Sequence, residues 1–330
     1  MSTMANTEQT TMQAMTYRRY GPPEVLELRH VPVPAPGAGE VLVRVHAAGI
    51  DVGVVFTLTG SPLPIRAVTG LRRPRRPVLG RALAGRIAAV GPGVTRLRVG
   101  DEVYGEITGG AYAEYTVAPE DLLAAKPAGL TFDQAAAVPV SGTTALQGMR
   151  DAGAVRPGQR VLINGASGGV GTFAVQIAKA LGGEVTAVCS ARNADLVRSL
   201  GADHVVDYAR EDFTRAGERY DVLLDLVGNH PISASRRALA PAGTLVLSAG
   251  PPAPSIRRTI AAYAMSPFVG HTLAPLVARP RRQDLDALSE MVEAGQVAPV
   301  IDRTYPLDEV PEALRRQAAG HARGKTVITI

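Results

Sequence analysis

Asn164-Gly165-Ala166-Ser167-Gly168-Gly169-Val170-Gly171 is the stretch that decides the fold of this chain. It follows a short apolar run, 160–163, typical of a buried strand, and it opens a segment, 170–181, whose apolar residues recur at helical spacing. Small residues between a strand and a helix let a pyrophosphate approach the backbone, and the N–H groups at the helix N-terminus stabilise its charge. The stretch therefore predicts a dinucleotide-binding turn at 167–171.

The segments around this turn alternate between strand and helix. Further strands are predicted at 184–189, 204–206, 222–224 and 244–247, with a helix at 194–200. A helix is also predicted to start after Thr131, which is followed by Asp133 and Gln134, and to run to Met149. Such alternation implies a parallel sheet with right-handed crossovers.

The two ends of the chain differ from this middle part. Before residue 130, short strands separated by Gly and Pro turns predict a compact β domain. After residue 276 the sequence predicts a helix at 284–294 and a final strand at 326–330. Residues 1–14 are polar and are predicted to form a flexible leader without an export signal, which favours the cytoplasm.

Composition excludes several classes of protein. The chain has 330 residues, enough for two domains, with 46% hydrophobic and 20% charged residues, as in ordinary globular proteins. Cys189 is the only cysteine, so an internal disulfide and a multi-cysteine zinc site are both excluded. No apolar stretch approaches the roughly 18 residues of a membrane span, so no membrane partner is expected.

Two basic clusters contribute to the net charge of +5. Both are interrupted by Pro and lack interleaved aromatic residues. We expect solvated loops and no nucleic-acid partner. The clusters are Arg72, Arg73, Arg75 and Arg76, and Arg279, Arg281 and Arg282.

The end of the second predicted strand indicates which dinucleotide binds. An NAD site usually has Asp or Glu about 20 residues after the glycine turn, accepting from the ribose hydroxyls. Here Ser190, Ala191 and Arg192 follow the strand, with no carboxylate before Asp195. Ser190 and Arg192 are suited to hydrogen-bond a 2′-phosphate, which favours NADPH. The alternative for Arg192 is a solvated residue at a helix start.

Taken in order along the chain, these features resemble the medium-chain dehydrogenase/reductase superfamily, and within it the quinone oxidoreductase, or zeta-crystallin-like, branch. The resemblance also rests on motifs outside the glycine turn: Gly21-Pro22-Pro23, Gly91-Pro92-Gly93, Val99-Gly100-Asp101-Glu102-Val103, Gly201-Ala202-Asp203 and Gly324-Lys325.

The resemblance implies an α/β protein with a GroES-like β-rich catalytic domain, 15–130 and 276–330, and an inserted Rossmann domain, 131–275, with a doubly wound parallel sheet. It also implies homodimers or homotetramers. It places Tyr208 beside the adenosine 2′-phosphate, Thr144 near the nicotinamide, and Ser248, Ala249 and Gly250 at the turn bordering the nicotinamide ring.

Zinc chemistry is not expected. The superfamily's alcohol dehydrogenases take zinc ligands from a Gly-Ile-Cys turn and a Gly-His-Glu turn, where this chain has Gly49-Ile50-Asp51 and Gly80-Arg81-Ala82. One carboxylate does not supply the three protein ligands of a catalytic zinc.

The sequence thus predicts a zinc-independent, NADPH-dependent enzyme that passes a hydride to a small-molecule quinone or enone. Asp51 is a candidate proton relay, although a turn-forming Asp fits equally well; Tyr104 and Tyr112 are alternative donors. One alternative function is an enoyl-thioester or polyketide-tailoring reductase, with the 72–76 loop meeting a phosphopantetheine or a carrier protein. Another is a non-catalytic NADPH-binding sensor, because residues 52–55, Val-Gly-Val-Val, replace the polar or aromatic residues that the resemblance leads us to expect there.

Overall fold

The computed structural model describes residues 11–248, 252–320 and 323–330, and for 252–257 and 267 it describes the backbone alone. The strands are β1 (Thr11–Thr16), β2 (Glu27–Pro32), β3 (Glu40–Ile50), β4 (Ala82–Val90), β5 (Glu102–Glu106), β6 (Tyr115–Pro119), β7 (Leu123–Ala125), β8 (Arg160–Asn164), β9 (Glu184–Cys189), β10 (His204–Asp207), β11 (Tyr220–Asp225), β12 (Leu239–Leu247), β13 (Thr272–Pro275), β14 (Ile301–Pro306) and β15 (Lys325–Thr329). The helices are α1 (Val52–Thr59), α2 (Arg66–Thr69), α3 (Phe132–Ala137), α4 (Pro139–Leu146), α5 (Gly169–Ala180), α6 (Ala194–Ser199), α7 (Ile232–Arg237), α8 (Pro252–Met265), α9 (Arg282–Glu293) and α10 (Val310–Ala319).

The central part of the chain forms a parallel sheet in the order β10-β9-β8-β11-β12-β13. β9 and β10 lie on one side of β8, whereas β11, β12 and β13 lie on the other side, so the order in which strands are added reverses between β8 and β11. A crevice opens at this point, at the carboxyl ends of the strands. The glycine turn follows β8 directly and therefore lies at this switch point. The predicted Rossmann sheet is confirmed.

Both faces of β8 are covered, which explains its unbroken apolar sequence. Val161 and Ile163 pack in the core cluster that contains the α5 side chains, whereas Leu162 packs in a separate cluster on the other face. All three side chains are fully buried.

The β-rich domain combines the two ends of the chain. Its sheet has the order β14-β15-β3-β4-β5-β7, with β6 also pairing with β3. β15 runs antiparallel to β3, so that Thr326 lies opposite Ile50. An isolated bridge joins Gly324 to Gly168, and the Gly324 N–H donates to the Ser167 carbonyl at 2.9 Å. The C-terminal strand therefore reaches the glycine turn of the other sheet.

Thr131 starts α3 as predicted, through a capping box with Gln134. The prediction of one continuous helix as far as Met149 is wrong. Pro139 has no N–H to donate, and a second helix, α4, begins there, followed by a π-helical turn at Gln147–Ala152.

The predicted flexible leader, 1–14, is wrong for its last part. Residues 11–14 belong to β1, which pairs antiparallel with β2. Met12 and Ala14 are buried in a small cluster with Ala113, so packing fixes a stretch that looked merely polar. Residues 1–10 lie outside the described residues, and the domain limits at 130 and 276 stay a prediction.

Within the described residues, no single helix is long and apolar enough to cross a membrane. Val52–Thr59 and Leu63–Thr69 meet that criterion only as a pair, with a bend of 85° between them.

Candidate active site

A cavity of about 700 Å³ lies where the two domains meet, and every described residue predicted for the site lines it except the alternative donors Tyr104 and Tyr112. Ala249 and Gly250 lie outside the described residues. The predicted site residues that line the cavity are Asp51, Thr144, Ser167, Gly168, Gly169, Val170, Gly171, Ser190, Arg192, Tyr208 and Ser248.

The glycine turn has the geometry of a pyrophosphate cradle. Gly165 has a φ of 90°, and a Cβ on Gly171 would lie 2.2 Å from the Gly165 carbonyl oxygen, so the turn excludes a side chain at Gly171. A Cβ on Gly168 would meet only that same oxygen, at 3.4 Å. α5 has no side-chain cap, and first-turn N–H groups lack partners within a helix. The turn therefore fits a dinucleotide, with these N–H groups directed at its phosphates.

A buried polar network holds the crevice between β8 and β11 in shape. The Asn164 amide nitrogen donates to Asp225 Oδ1 and to Asn229 Oδ1, each at 2.9 Å. Asp225 also accepts from the N–H groups of Val227 and Gly228, and Arg258 donates to its other oxygen at 2.5 Å. Asp225 is only 1% exposed, so these bonds replace the water that the carboxylate loses.

The opposite end of the nucleotide groove contains the residues predicted to select the cofactor. Ser190 follows β9, Arg192 is exposed, and Tyr208 follows β10 with 55% of its surface exposed. The Asn193 amide donates to Ser167 Oγ at 2.9 Å, which ties this corner to the glycine turn. The only carboxylates among the described residues lining the cavity belong to the β-rich domain.

Two other predicted residues use their polar groups within the fold. Thr144 Oγ1 donates to the Val140 carbonyl at 2.7 Å, so its hydroxyl bonds back into α4 while the residue lines the cavity. Ser248 follows β12, and its N–H donates to the Asp225 carbonyl at 3.1 Å.

Four charged side chains meet in the cavity at the end of the β-rich domain: Asp51, Arg81, Glu106 and Lys325. The Arg81 guanidinium bonds Glu106, and its Nη1 lies 3.8 Å from Asp51 Oδ1. Lys325 is 3% exposed, and its Nζ donates to the Ile50 carbonyl at 2.5 Å. Arg81 keeps 34% of its side chain exposed.

Asp51 acts as a helix cap and also lies beside the Arg81 cation. Its Oδ1 accepts from the Gly53 N–H at 2.8 Å and caps α1. Its Oδ2 is buried without a described hydrogen-bond partner, although buried polar atoms are normally paired.

Burial and charge act in opposite directions on the ionisation of this cluster. Burial raises the pKa of Glu106, against the effect of Arg81, and it lowers the pKa of Lys325, against the effects of Asp51 and Glu106. Burial also opposes the charge on Arg81, but the two carboxylates together raise its pKa above the ordinary value. Arg81 is therefore a fixed cation at physiological pH.

Tyr104 and Tyr112 do not line the cavity. The Tyr104 hydroxyl donates to the Leu285 carbonyl at 2.6 Å, and the Tyr112 hydroxyl donates to the Gly49 carbonyl at 3.3 Å. Both rings are fully buried, and this burial raises the pKa of each hydroxyl. Their position favours core packing over proton donation to a ligand.

Sequence reasoning identified Asp51 but missed Glu106 as a site residue. It noted Arg81 and Lys325 only as parts of motifs. Arg81 stands where the superfamily's alcohol dehydrogenases have a zinc ligand, and this position could have identified Arg81 as a site residue from the sequence. Among the described residues, no group of three His, Cys, Asp or Glu side chains is placed to hold a metal ion.

Comparison with known proteins covers nearly the whole chain. The model for an alcohol dehydrogenase GroES-like domain matches residues 37–128, and the model for a zinc-binding dehydrogenase matches 200–328. The chain is 32% identical, over 335 residues, to the chloroplast envelope quinone oxidoreductase homolog of Arabidopsis thaliana, covering 96% of this chain and 98% of that protein.

Two further comparisons agree with this result. The chain is 33% identical over 367 residues to the mitochondrial NAD(P)H oxidoreductase RTN4IP1 of Mus musculus, covering 97% of this chain and 90% of that protein. The structure matches that of the quinone oxidoreductase from Coxiella burnetii with a TM-score of 0.87 at 30% identity, covering 97% and 99% of the two chains.

Proposed function

Because the chain belongs to the medium-chain dehydrogenase/reductase superfamily, in its quinone oxidoreductase branch, we propose that this NAD(P)H oxidoreductase passes a hydride from NADPH to a quinone or an α,β-unsaturated carbonyl without zinc. One observation carries the proposal: the glycine turn and the Arg81 guanidinium line a single cavity, and Arg81 stands where the family resemblance places a zinc ligand. A cation is thus available where the alcohol dehydrogenases use a metal.

A nicotinamide bound at this turn supplies the hydride, and the chain's own residues must stabilise the charge that develops on the acceptor. Arg81 is held between Asp51 and Glu106 and is partly exposed to the cavity. A fixed cation beside the acceptor oxygen stabilises negative charge without reorganisation during the reaction.

Proton delivery is assigned to the same cluster. Asp51 lines the cavity, and its Oδ2 is buried without a described hydrogen-bond partner, so this carboxyl is the candidate for passing a proton to a bound molecule. Asp51 is 8% exposed, and Val52 and Phe56 add apolar surface to the same wall of the cavity. Exclusion of water there strengthens the effect of each charge.

The preference for NADPH rests on the adenosine end of the cavity. Arg192 and Tyr208 line it together with Ser190, and no described carboxylate lines that end to accept from the ribose 2′-hydroxyl. A guanidinium and a hydroxyl favour a phosphate at this position.

The test follows the loss of NADPH absorbance with p-benzoquinone, a simple enone and an enoyl thioester in parallel, and NADH serves as the control. Turnover of the quinone or enone with NADPH preferred supports the proposal. Turnover of the thioester alone would replace it with a tailoring reductase. Tight binding of NADPH without any turnover would leave a non-catalytic binder.

Zinc independence has its own test. Dialysis against a strong chelator should leave the rate unchanged, because the cavity offers a cation and two carboxylates in place of a ligand set. Loss of activity on chelation, with recovery on addition of zinc, would overturn this part of the proposal.

A further inference from the structure

Residues 61–77, called here the basic segment, lie between α1 and Arg81, which directly precedes β4. Several aliphatic side chains of the basic segment are exposed. Leu63, Val68 and Leu71 are 72%, 77% and 72% exposed. None of the described core clusters includes a side chain from the basic segment. Single exposed aliphatic residues are ordinary, but several in one short segment indicate an interaction site.

The basic segment also accounts for the net charge of the protein. It contains five Arg residues and no Asp or Glu. The chain has 35 basic and 30 acidic residues, so subtracting these five leaves 30 of each sign. Four of the five side chains are exposed, and none forms an ion pair with a described residue. The exposed four are Arg72, Arg73, Arg75 and Arg76.

Polar contacts, and not burial of its apolar side chains, hold the basic segment on the domain. The Tyr20 hydroxyl lies 2.8 Å from Thr69 Oγ1 and donates to the Gly70 carbonyl at 2.5 Å. The Arg66 guanidinium lies 4.6 Å from the centre of the Tyr20 ring and donates to the Gly60 carbonyl at 3.0 Å. The Arg75 N–H closes the following turn onto the Thr69 carbonyl at 2.8 Å. The aliphatic side chains are thereby left facing solvent in an anchored loop.

We propose that the basic segment docks the protein on the surface of a bilayer containing anionic lipids. Aliphatic side chains at an interface enter the acyl region, while guanidinium groups remain with the lipid phosphates. A second copy is a poorer occupant, because a two-fold interface would bring the same positive charges together. Nucleic acid would use the arginines but would leave Leu63, Val68 and Leu71 without an apolar partner.

The location gives the docking surface a use, and this step rests on the proposed function. The basic segment is joined at one end to α1, which contributes Val52 and Phe56 to the cavity wall, and it leads at its other end to Arg81. An apolar quinone or enone dissolved in a bilayer would therefore be near the cavity when the protein is docked. This differs from the expectation, drawn from hydropathy, that the protein has no membrane partner.

The experiment is co-sedimentation of the full chain with vesicles of phosphatidylcholine alone or mixed with phosphatidylglycerol, at low and high salt. We expect binding to the mixed vesicles that weakens with salt and little binding to phosphatidylcholine alone. Replacing either the aliphatic or the arginine side chains should lower the partition coefficient about tenfold or more. The two variants are Leu63→Ser/Val68→Ser/Leu71→Ser and Arg72→Gln/Arg73→Gln/Arg75→Gln/Arg76→Gln.

A matched control removes the same number of positive charges from exposed positions elsewhere, and it should sediment like the wild type. Equal loss in the control would mean that net charge alone drives binding, which overturns the proposal. Absence of wild-type binding to mixed vesicles, or stronger binding to duplex DNA or to an acidic carrier protein, would overturn it as well. The control is Arg210→Gln/Arg215→Gln/Arg219→Gln/Arg303→Gln.

Turnover provides the second readout. With water-soluble p-benzoquinone all these variants should match the wild type, whereas with a long-chain quinone held in mixed vesicles the two segment variants should lose about tenfold in rate. Sedimentation does not depend on turnover, so failure of the proposed function and failure of the docking proposal give different results.

Discussion

Replacement of Arg81 by Gln tests whether the cation in the cavity stabilises charge on the acceptor. The guanidinium lies 3.8 Å from Asp51 and also bonds Glu106, and it keeps 34% of its side chain exposed. Removal of one oxyanion-stabilising donor typically lowers kcat by about 10²- to 10³-fold. We expect a loss of that size with p-benzoquinone and little change in the affinity for NADPH.

The same substitution also perturbs stability, and the two effects must be separated. At 3.8 Å and an effective dielectric constant of about 20, the gross attraction between Asp51 and Arg81 is about 4 kcal/mol. One third of the Arg81 side chain is in water, so the net cost of removing it is closer to about 2 kcal/mol. Much of that cost arises because the substitution leaves a buried carboxylate without its counter-ion. Burial already disfavours the charged form of Glu106, whose pKa it raises.

The double variant Arg81→Gln/Glu106→Gln resolves this ambiguity. It removes a positive and a negative charge together, so the denaturation midpoint should recover most of the single variant's loss while kcat stays low. Arg81→Lys keeps the charge and should recover part of the rate. The reasoning is refuted when the double variant regains wild-type turnover together with stability, because Arg81 would then act only on the fold.

The remaining predictions concern the cofactor, the proton and alkaline stability. Arg192→Ala should raise the Kd for NADPH about 10- to 100-fold, as expected for loss of a charge-assisted bond, and should leave the Kd for NADH unchanged in a fluorescence titration; equal losses would exclude a 2′-phosphate contact. Asp51→Asn should retain the cap of α1 and the denaturation midpoint, since Asn caps helices well, but should lower turnover and alter its pH profile; turnover unchanged at every pH would make the carboxyl structural. Burial, with a smaller effect of Tyr20, raises the pKa of Tyr17 to about 12 from 10.0, so its contribution to folding is complete below pH 10 and is lost as pH rises towards 12. Tyr17→Phe should reduce the alkaline loss in the free energy of unfolding by about 3 kcal/mol, and an identical pH profile in both proteins would contradict the assignment.

Much of the fold could be predicted because its signals are local. Thr131 and Gln134 mark a helix start through bonds made within one turn, and the structure shows that capping box. The break at Pro139 was equally local and was overlooked, because the apolar pattern continues through it. The β1 strand was missed for a different reason: Met12 and Ala14 become buried only against Ala113, a long way along the chain.

The glycine turn was readable from the sequence by itself because its conformation depends on nearby residues. Gly165 requires a positive φ, and the Gly165 carbonyl leaves no room for a side chain at Gly171. Such steric demands act over a few residues and show directly as glycines between a strand and a helix. The same applies to the superfamily motifs, which recur in order along the chain.

Only the tertiary structure decided the composition of the charged cluster. The Lys325 ammonium reaches the Ile50 carbonyl across 275 positions of sequence, and it does so because β15 pairs with β3. Glu106 and Arg81 likewise meet through the pairing of β4 with β5. In the sequence Glu106 is one charged residue on a strand, indistinguishable from a solvent-facing side chain, and the motifs that contain Arg81 and Lys325 do not show that the three side chains meet. Burial, which makes their charges interact strongly, arises only when the pairing of β15 with β3 and of β4 with β5 brings these side chains together.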